Sequence, residues 1–125
     1  MLIFLLMNAE ALAELGELDK TAWDATIKPI RDRAGFTLAS ALEFPEGASK
    51  DKLIEIVRNE RRSELALEGH RHKDIIRWRI ADNVLNGWCH GLKTNDVVGT
   101  DDGYVRVENR TFNANKHLFV AYTTG

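Results

Sequence analysis

Leu2, Leu5, Leu6, Ala9, Leu12 and Ala13 recur at the three- and four-residue intervals of one helix face, and Gly16 ends the run. A second run, Trp23, Ile27, Ile30 and Ala34, begins behind two candidate N-caps, Asp19 and Thr21, and closes near Gly35. The short link between the two predicts an αα-hairpin over residues 1–35. Pro29 falls inside the second helix, where it removes a backbone donor and crowds the preceding turn, so a kink or break is expected there.

Residues 36–49 are less regular: Pro45 and Gly47 mark a loop, with a short helical turn expected from Ser40 to Phe44. Ser49 reads as the N-cap of a helix carrying Leu53, Ile54, Val57, Arg61, Leu65 and Glu68, which Gly69 ends in a left-handed conformation. Ile76, Ile80, Val84 and Trp88 then form a four-spaced stripe, predicting one further helix to about Asn86-Gly87 and a second helix pair over 49–88. Beyond Gly91 the pattern changes. Gly99, Asp101, Asp102 and Gly103 are turn formers, Tyr104 to Glu108 alternate like a strand, and His117 to Tyr122 are a second extended candidate. The expected fold is mainly α, with a short C-terminal β-hairpin or extended segment over 99–122.

Charge adds little at the level of the whole chain, whose net charge is -2 over 125 residues. The distribution is uneven: residues 50–79 hold nine Lys/Arg against six Asp/Glu, while residues 1–49 hold four against eight. In the basic stretch the signs alternate, as on a solvated or ion-paired helix face, and that interleaving argues against nucleic acid as a partner. The opening MLIFLLM is too short to span a bilayer, which takes about twenty apolar residues, and is read as part of a buried helix. Its apolar surface makes a homodimer of this chain an expectation.

Several residues invite chemistry. Glu68, His70, His72 and Asp74 suggest metal ligands, but such two-residue spacing converges only on a strand, and Gly69 interrupts this stretch between helices, so no metal is expected. Cys89 and His90 are adjacent without an evident third member, and the lone cysteine forms no internal disulfide. Arg58, Arg61, Arg62, Arg71, Arg77 and Arg79 are interleaved with Glu60, Glu64, Glu68 and Asp74, which points to structural ion pairs and not to a phosphate site. The same pairing absorbs the carboxylates that glycan hydrolysis would need, so no catalytic residue and no cofactor are expected. Among the aromatic residues, Trp23 and Trp88 are read as core and Trp78 as an anchor at the helix junction. Tyr104, beside a polar glycine loop, is the local candidate for stacking on a sugar ring.

Three ordered blocks carry a resemblance. MNAEALAELGELDKTAWDATIKPIRDRAGF supplies Glu10, Ala11, Gly16, Arg31, Arg33, Ala34 and Gly35. IVRNERRSELALEGHRHKDIIRW supplies Arg58, Glu60, Arg61, Arg62, Glu64, Leu65, Glu68, Gly69, Arg71, Asp74, Arg77 and Trp78. GYVRVENRTFNANKHLFVAY supplies Arg110, Phe112, Lys116, His117 and Leu118. Together they resemble the SusD/RagB-like outer-membrane nutrient-binding lipoproteins over nearly the whole chain.

The resemblance implies tetratricopeptide-like helix pairs in a protein tethered by a lipid to the outward face of the outer membrane. It implies non-covalent capture of oligosaccharides for a TonB-dependent, SusC-like transporter, with the glycan site assembled mostly from loops outside the recurring helix pairs. Arg61, Arg62, Glu64, Glu68, Arg71, Asp74 and Arg77 would then be structural ion pairs joining helices. Because Cys89 is far from the N-terminus and the chain is short for this family, it is expected to be the C-terminal portion of a larger parent. The alternative expectation is an autonomous helical module for protein interaction.

Overall fold

The structure, a computed structural model, describes residues 2–95 and 100–113. It divides into two compact units, Met1–His70 and Arg71–Gly125.

The first unit is helical: α1 (Leu2–Leu15), α2 (Lys20–Arg33), α3 (Ala39–Leu42) and α4 (Lys50–Glu64). Gly16, with φ of +77°, turns the chain out of α1, and the Glu17 amide closes that end on the Leu12 carbonyl at 2.8 Å. Asp19 is the N-cap of α2, its carboxylate accepting from the Ala22 amide at 2.8 Å. Ser49 caps α4 in the same way through the Lys52 amide at 3.2 Å.

Helix α1 packs against both α2 and α4, and the core of the unit lies where the three meet. Leu6, Ala9 and Ala13 enter it from α1, Trp23, Ile27 and Ile30 from α2, and Leu53 and Val57 from α4. Each large aliphatic side chain fully buried there contributes about 1.5–3 kcal/mol. The buried Thr26 hydroxyl is satisfied by donating to the Ala22 carbonyl at 2.6 Å. Trp23 is wholly buried as well. Its indole N–H donates to the Leu42 carbonyl at 2.8 Å and its ring meets Phe44 edge-on, 5.9 Å between centroids. One tryptophan therefore ties α2 to α3 and to the loop that follows it.

Helix α2 runs unbroken through Pro29, contrary to the expected break. The proline is exposed, and the helix continues past it with only the bond from its missing N–H to the Ala25 carbonyl forgone. Helix α4 also stops sooner than glycine alone suggested. It ends at Glu64, and residues 65–69 form turns in which Leu67 and Gly69 both have positive φ.

The second unit comprises α5 (Arg71–Arg77), α6 (Ala81–Val84), β1 (Gly87–Lys93), β2 (Thr100–Asp101) and β3 (Tyr104–Arg110). Ile75, Trp78 and Ala81 are its buried apolar residues. The expected single helix to residue 88 is overturned. Arg79 takes a left-handed conformation at φ of 54° and Gly87 at 107°, splitting the stripe into two short helices and a strand. Trp88 accordingly lies in β1 and is 45% exposed, not core.

The three strands form an antiparallel sheet in the order β1-β3-β2. Asp102 and Gly103, both with positive φ, make the tight two-residue turn from β2 into β3. The long partner of β3 is thus β1, from the stretch read as the end of a helix. Gly99 and the extended candidate from His117 to Tyr122 lie outside the described residues. The chain is therefore mainly α-helical with a short C-terminal antiparallel hairpin. Among the described residues no helix is long and apolar enough to cross a membrane.

Candidate binding site

Tyr104 opens β3, directly after the Asp102-Gly103 turn, and its register partners are Asp101 on β2 and Lys93 on β1. With His90, Asp101 and Asp102 it lines an open cleft of about 350 Å³. The phenol ring is 43% exposed, and the Lys93 ammonium sits 5.5 Å from its centroid.

Asp101 organises the floor of this cleft. The Arg106 Nε donates to Asp101 Oδ2 at 2.9 Å, and a second guanidinium nitrogen meets Oδ1, giving a two-pronged pair. His90 Nε2 lies 2.8 Å from the same Oδ2. These hydrogen bonds, from Arg106 first and then His90, hold the Asp101 carboxyl well below the usual carboxylate range, and the reciprocal contact raises the Arg106 guanidinium. Arg106 also stacks on the Trp88 ring, 5.6 Å from its centroid. The cleft therefore offers an exposed aromatic ring beside acceptor and donor groups already fixed in place. Such a set can stack on an apolar ligand face and hydrogen-bond its polar edge, and among the described residues no cluster of His, Cys, Asp and Glu is arranged to hold a metal.

Residues expected to form ion pairs are distributed differently from their order in the chain. Asp74 is buried and accepts from Arg77 at 2.9 Å, while Arg77 also lies over the Trp78 ring at 5.2 Å. Glu64 pairs with Arg33 of α2 at 2.6 Å. Arg61 is buried on α4 and Arg71 half-buried at the start of α5. Arg62 and Glu68 are exposed, and neither has an ion pair among the described residues. One well-enclosed pair was not among those expected. Arg31 of α2 binds Glu60 of α4 through Nε at 2.9 Å and Nη2 at 2.7 Å, and donates from Nη1 to the Ala41 carbonyl at 2.6 Å. Its guanidinium lies 5.1 Å from the Trp23 ring. Arg58 likewise reaches across to Glu14 on α1 at 2.9 Å.

Reasoning from spacing missed Lys93 and Arg106 as neighbours of Tyr104, and Trp88 as a strand residue of the same sheet. The signal available for them was Asp102-Gly103 before an alternating run, which marks a hairpin but does not say which earlier segment joins its far edge.

Comparison with known proteins adds an independent line. The profile of the SusD family matches residues 4–122 of this chain. The "SusD-like protein P38" of Formosa agariphila is 32% identical over 97 residues, covering 75% of this chain and 19% of that protein. The matched region thus spans about a fifth of the length of this relative. No solved structure matches the chain.

Proposed function

The chain belongs to the SusD family, and on that premise we propose that it is the C-terminal portion of a cell-surface glycan-binding lipoprotein. The parent captures oligosaccharides at the outward face of the outer membrane and passes them to a SusC-like TonB-dependent transporter. It binds without catalysis, in keeping with a family of non-catalytic binding proteins. The observation that carries this reading is the family match across residues 4–122.

The helical unit fits a scaffold role. Three of its ion pairs bridge helices, Arg31 with Glu60, Arg33 with Glu64 and Arg58 with Glu14. We read α1 and α2 as one tetratricopeptide-like pair, with α4 beginning the next. Arg61, Arg62, Glu64, Glu68, Arg71, Asp74 and Arg77 belong to the joint that follows, and Tyr104 is the residue of this chain placed to touch ligand.

Purification of the tagged parent from detergent-solubilised outer membranes tests the partnership. Recovery of a TonB-dependent transporter in fixed proportion, together with protease sensitivity of the parent on intact cells, is the expected result. A parent that resists protease on intact cells and purifies alone contradicts it. Should the 125-residue chain instead form a stable complex with a protein other than a transporter, the autonomous interaction module replaces this account.

A further inference from the structure

Asn86 ties α6 to the segment just past β3 with one side chain. Its amide Nδ2 donates to the Asp82 carbonyl at 2.8 Å, and its Oδ1 accepts from the Phe112 amide at 2.5 Å. The residue is exposed, and Phe112 lines an open cleft of about 410 Å³. Gly87 follows it at φ of 107°, and a Cβ placed there would meet no atom within 4 Å. No other asparagine of the sequence precedes a glycine.

We propose that Asn86 is a site of self-modification, where the Gly87 nitrogen cyclises onto the side-chain amide and the chain passes through a succinimide to aspartate or isoaspartate. The inference is independent of the glycan-binding reading. In the first step the Gly87 nitrogen bonds to Asn86 Cγ and gives its proton to solvent base. Negative charge gathers on Oδ1, to which the Phe112 N–H already donates, so this donor is aimed at the oxyanion of the tetrahedral intermediate. The Cγ–Nδ2 bond then breaks, and the nitrogen leaves as ammonia with a proton from solvent. Water opens the ring at either carbonyl. The sum is one water consumed and one ammonia released, with no change of oxidation state.

Gly87 makes the step accessible because it has no Cβ to hinder approach to its nitrogen, and the space around it is empty. The consequence follows from which atom leaves. Nδ2 is the donor to the Asp82 carbonyl, so the reaction removes that hydrogen bond, and the aspartate product sets a carboxylate against the carbonyl oxygen. The isoaspartate product carries an extra methylene in the main chain immediately before Gly87, the first residue of β1 and the register partner of Arg110. One conversion therefore loosens the attachment of α6 and displaces the start of the sheet. Asp102 before Gly103 can form the same ring with loss of water, but its isomer has an unchanged mass.

The test is incubation of the 125-residue chain in mildly alkaline buffer, with tryptic digests followed by mass spectrometry over time. The peptide that runs from Ile80 through Lys93 gains the mass of an amide-to-acid exchange first, and fragment ions place the change at Asn86 and not at Asn83. Labelling of that peptide by an isoaspartyl methyltransferase detects the isomerised product. Because Phe112 is held at Oδ1 only in the folded chain, conversion slows about tenfold in urea, and by a similar factor in Phe112→Pro, whose fold circular dichroism checks. Should that variant unfold, the comparison in urea decides. Asn86→Asp, one of the two products, lowers the melting temperature by about 2–4 °C, and Asn83→Asp by less. An Asn86 that stays intact while other asparagines convert overturns the proposal, as does faster conversion in urea than in the folded chain. A melting temperature unmoved by Asn86→Asp refutes the consequence for the sheet.

Discussion

Arg31 in α2 and Glu60 in α4 meet through two hydrogen bonds to a single carboxylate oxygen, at 2.9 and 2.7 Å, across 29 residues of chain. A third bond from Arg31 to the Ala41 carbonyl and its stacking on Trp23 make this side chain the point where α2, α3 and α4 are joined. Both side chains are mostly enclosed, at 17% and 11% exposure, so loss of either partner leaves the other poorly solvated.

Arg31→Ala is therefore expected to destabilise the helical unit by about 2–4 kcal/mol, and Arg31→Lys by more than half of that, since an ammonium cannot reproduce the fork. The Arg33–Glu64 pair provides the contrast, because Arg33 is 64% exposed, and Arg33→Ala should cost less, about 1 kcal/mol. Urea denaturation of the variants separates the two. Equal, small losses at both positions would show that the joint is not held by Arg31.

Trp23→Phe keeps most of the buried ring but leaves the Leu42 carbonyl without its 2.8 Å donor. The expected cost is about 1–3 kcal/mol, the usual range for a hydrogen bond lost together with some packing. Hydrogen exchange reports where it falls. Protection at Leu42 and Glu43, whose amides bond Leu38 and Ala39, should decrease more than protection in α1.

Asp101 sets a pH dependence with a definite sign. Arg106 and His90 lower its folded-state pKa below the ordinary value of 3.8, so the unfolded chain takes up the proton first as the solution is acidified. The stabilising contribution is complete above about 3.8 and is lost as pH falls from there through the lower folded pKa. Carboxyl carbon chemical shifts should place the Asp101 titration below 3.8. Asp101→Asn should remove this component of acid sensitivity, and an Asp101 that titrates near 3.8 would contradict the geometry of the pair.

Gly91 lies in β1, where an added Cβ would approach Val107 Cγ2 to 2.9 Å. Gly91→Ala should destabilise the sheet by about 1–2 kcal/mol through overpacking. Val107→Ala makes room, so the double substitution should cost less than the sum of the singles, a coupling that thermal melts of the four proteins measure. Simple additivity would place the two residues apart.

The helical unit was legible because its signals are local. Apolar spacing marked α1 and α2, and Asp19 and Ser49 lie immediately before the turns they cap. Pro29 misled because a proline forgoes one bond to the preceding turn without having to end the helix, and Ile30 to Arg33 continue it. The pairing of charges was legible in kind but not in detail. Asp74 with Arg77 is a contact within one turn, whereas Arg31, Arg33 and Arg58 find partners 29, 31 and 44 residues away.

The sheet was the harder part. Ile76, Ile80, Val84 and Trp88 keep a helical interval, yet Arg79 and Gly87 turn left-handed and β1 gains its backbone partners from β3. Strand pairing of that kind depends on tertiary context more than on the segment's own pattern. Tyr104 could be singled out because its glycine turn precedes it directly. Its neighbours Lys93 and Arg106 required the register.

The central claim is that these residues belong to a protein that captures glycans and does not cleave them. Titration of the full-length parent against plant, host and microbial oligosaccharides, with mass spectrometry of the ligand afterwards, tests it most directly. The account predicts saturable binding of at least one neutral oligosaccharide, recovered intact. Absence of binding across the panel, or recovery of a shortened ligand, would contradict it.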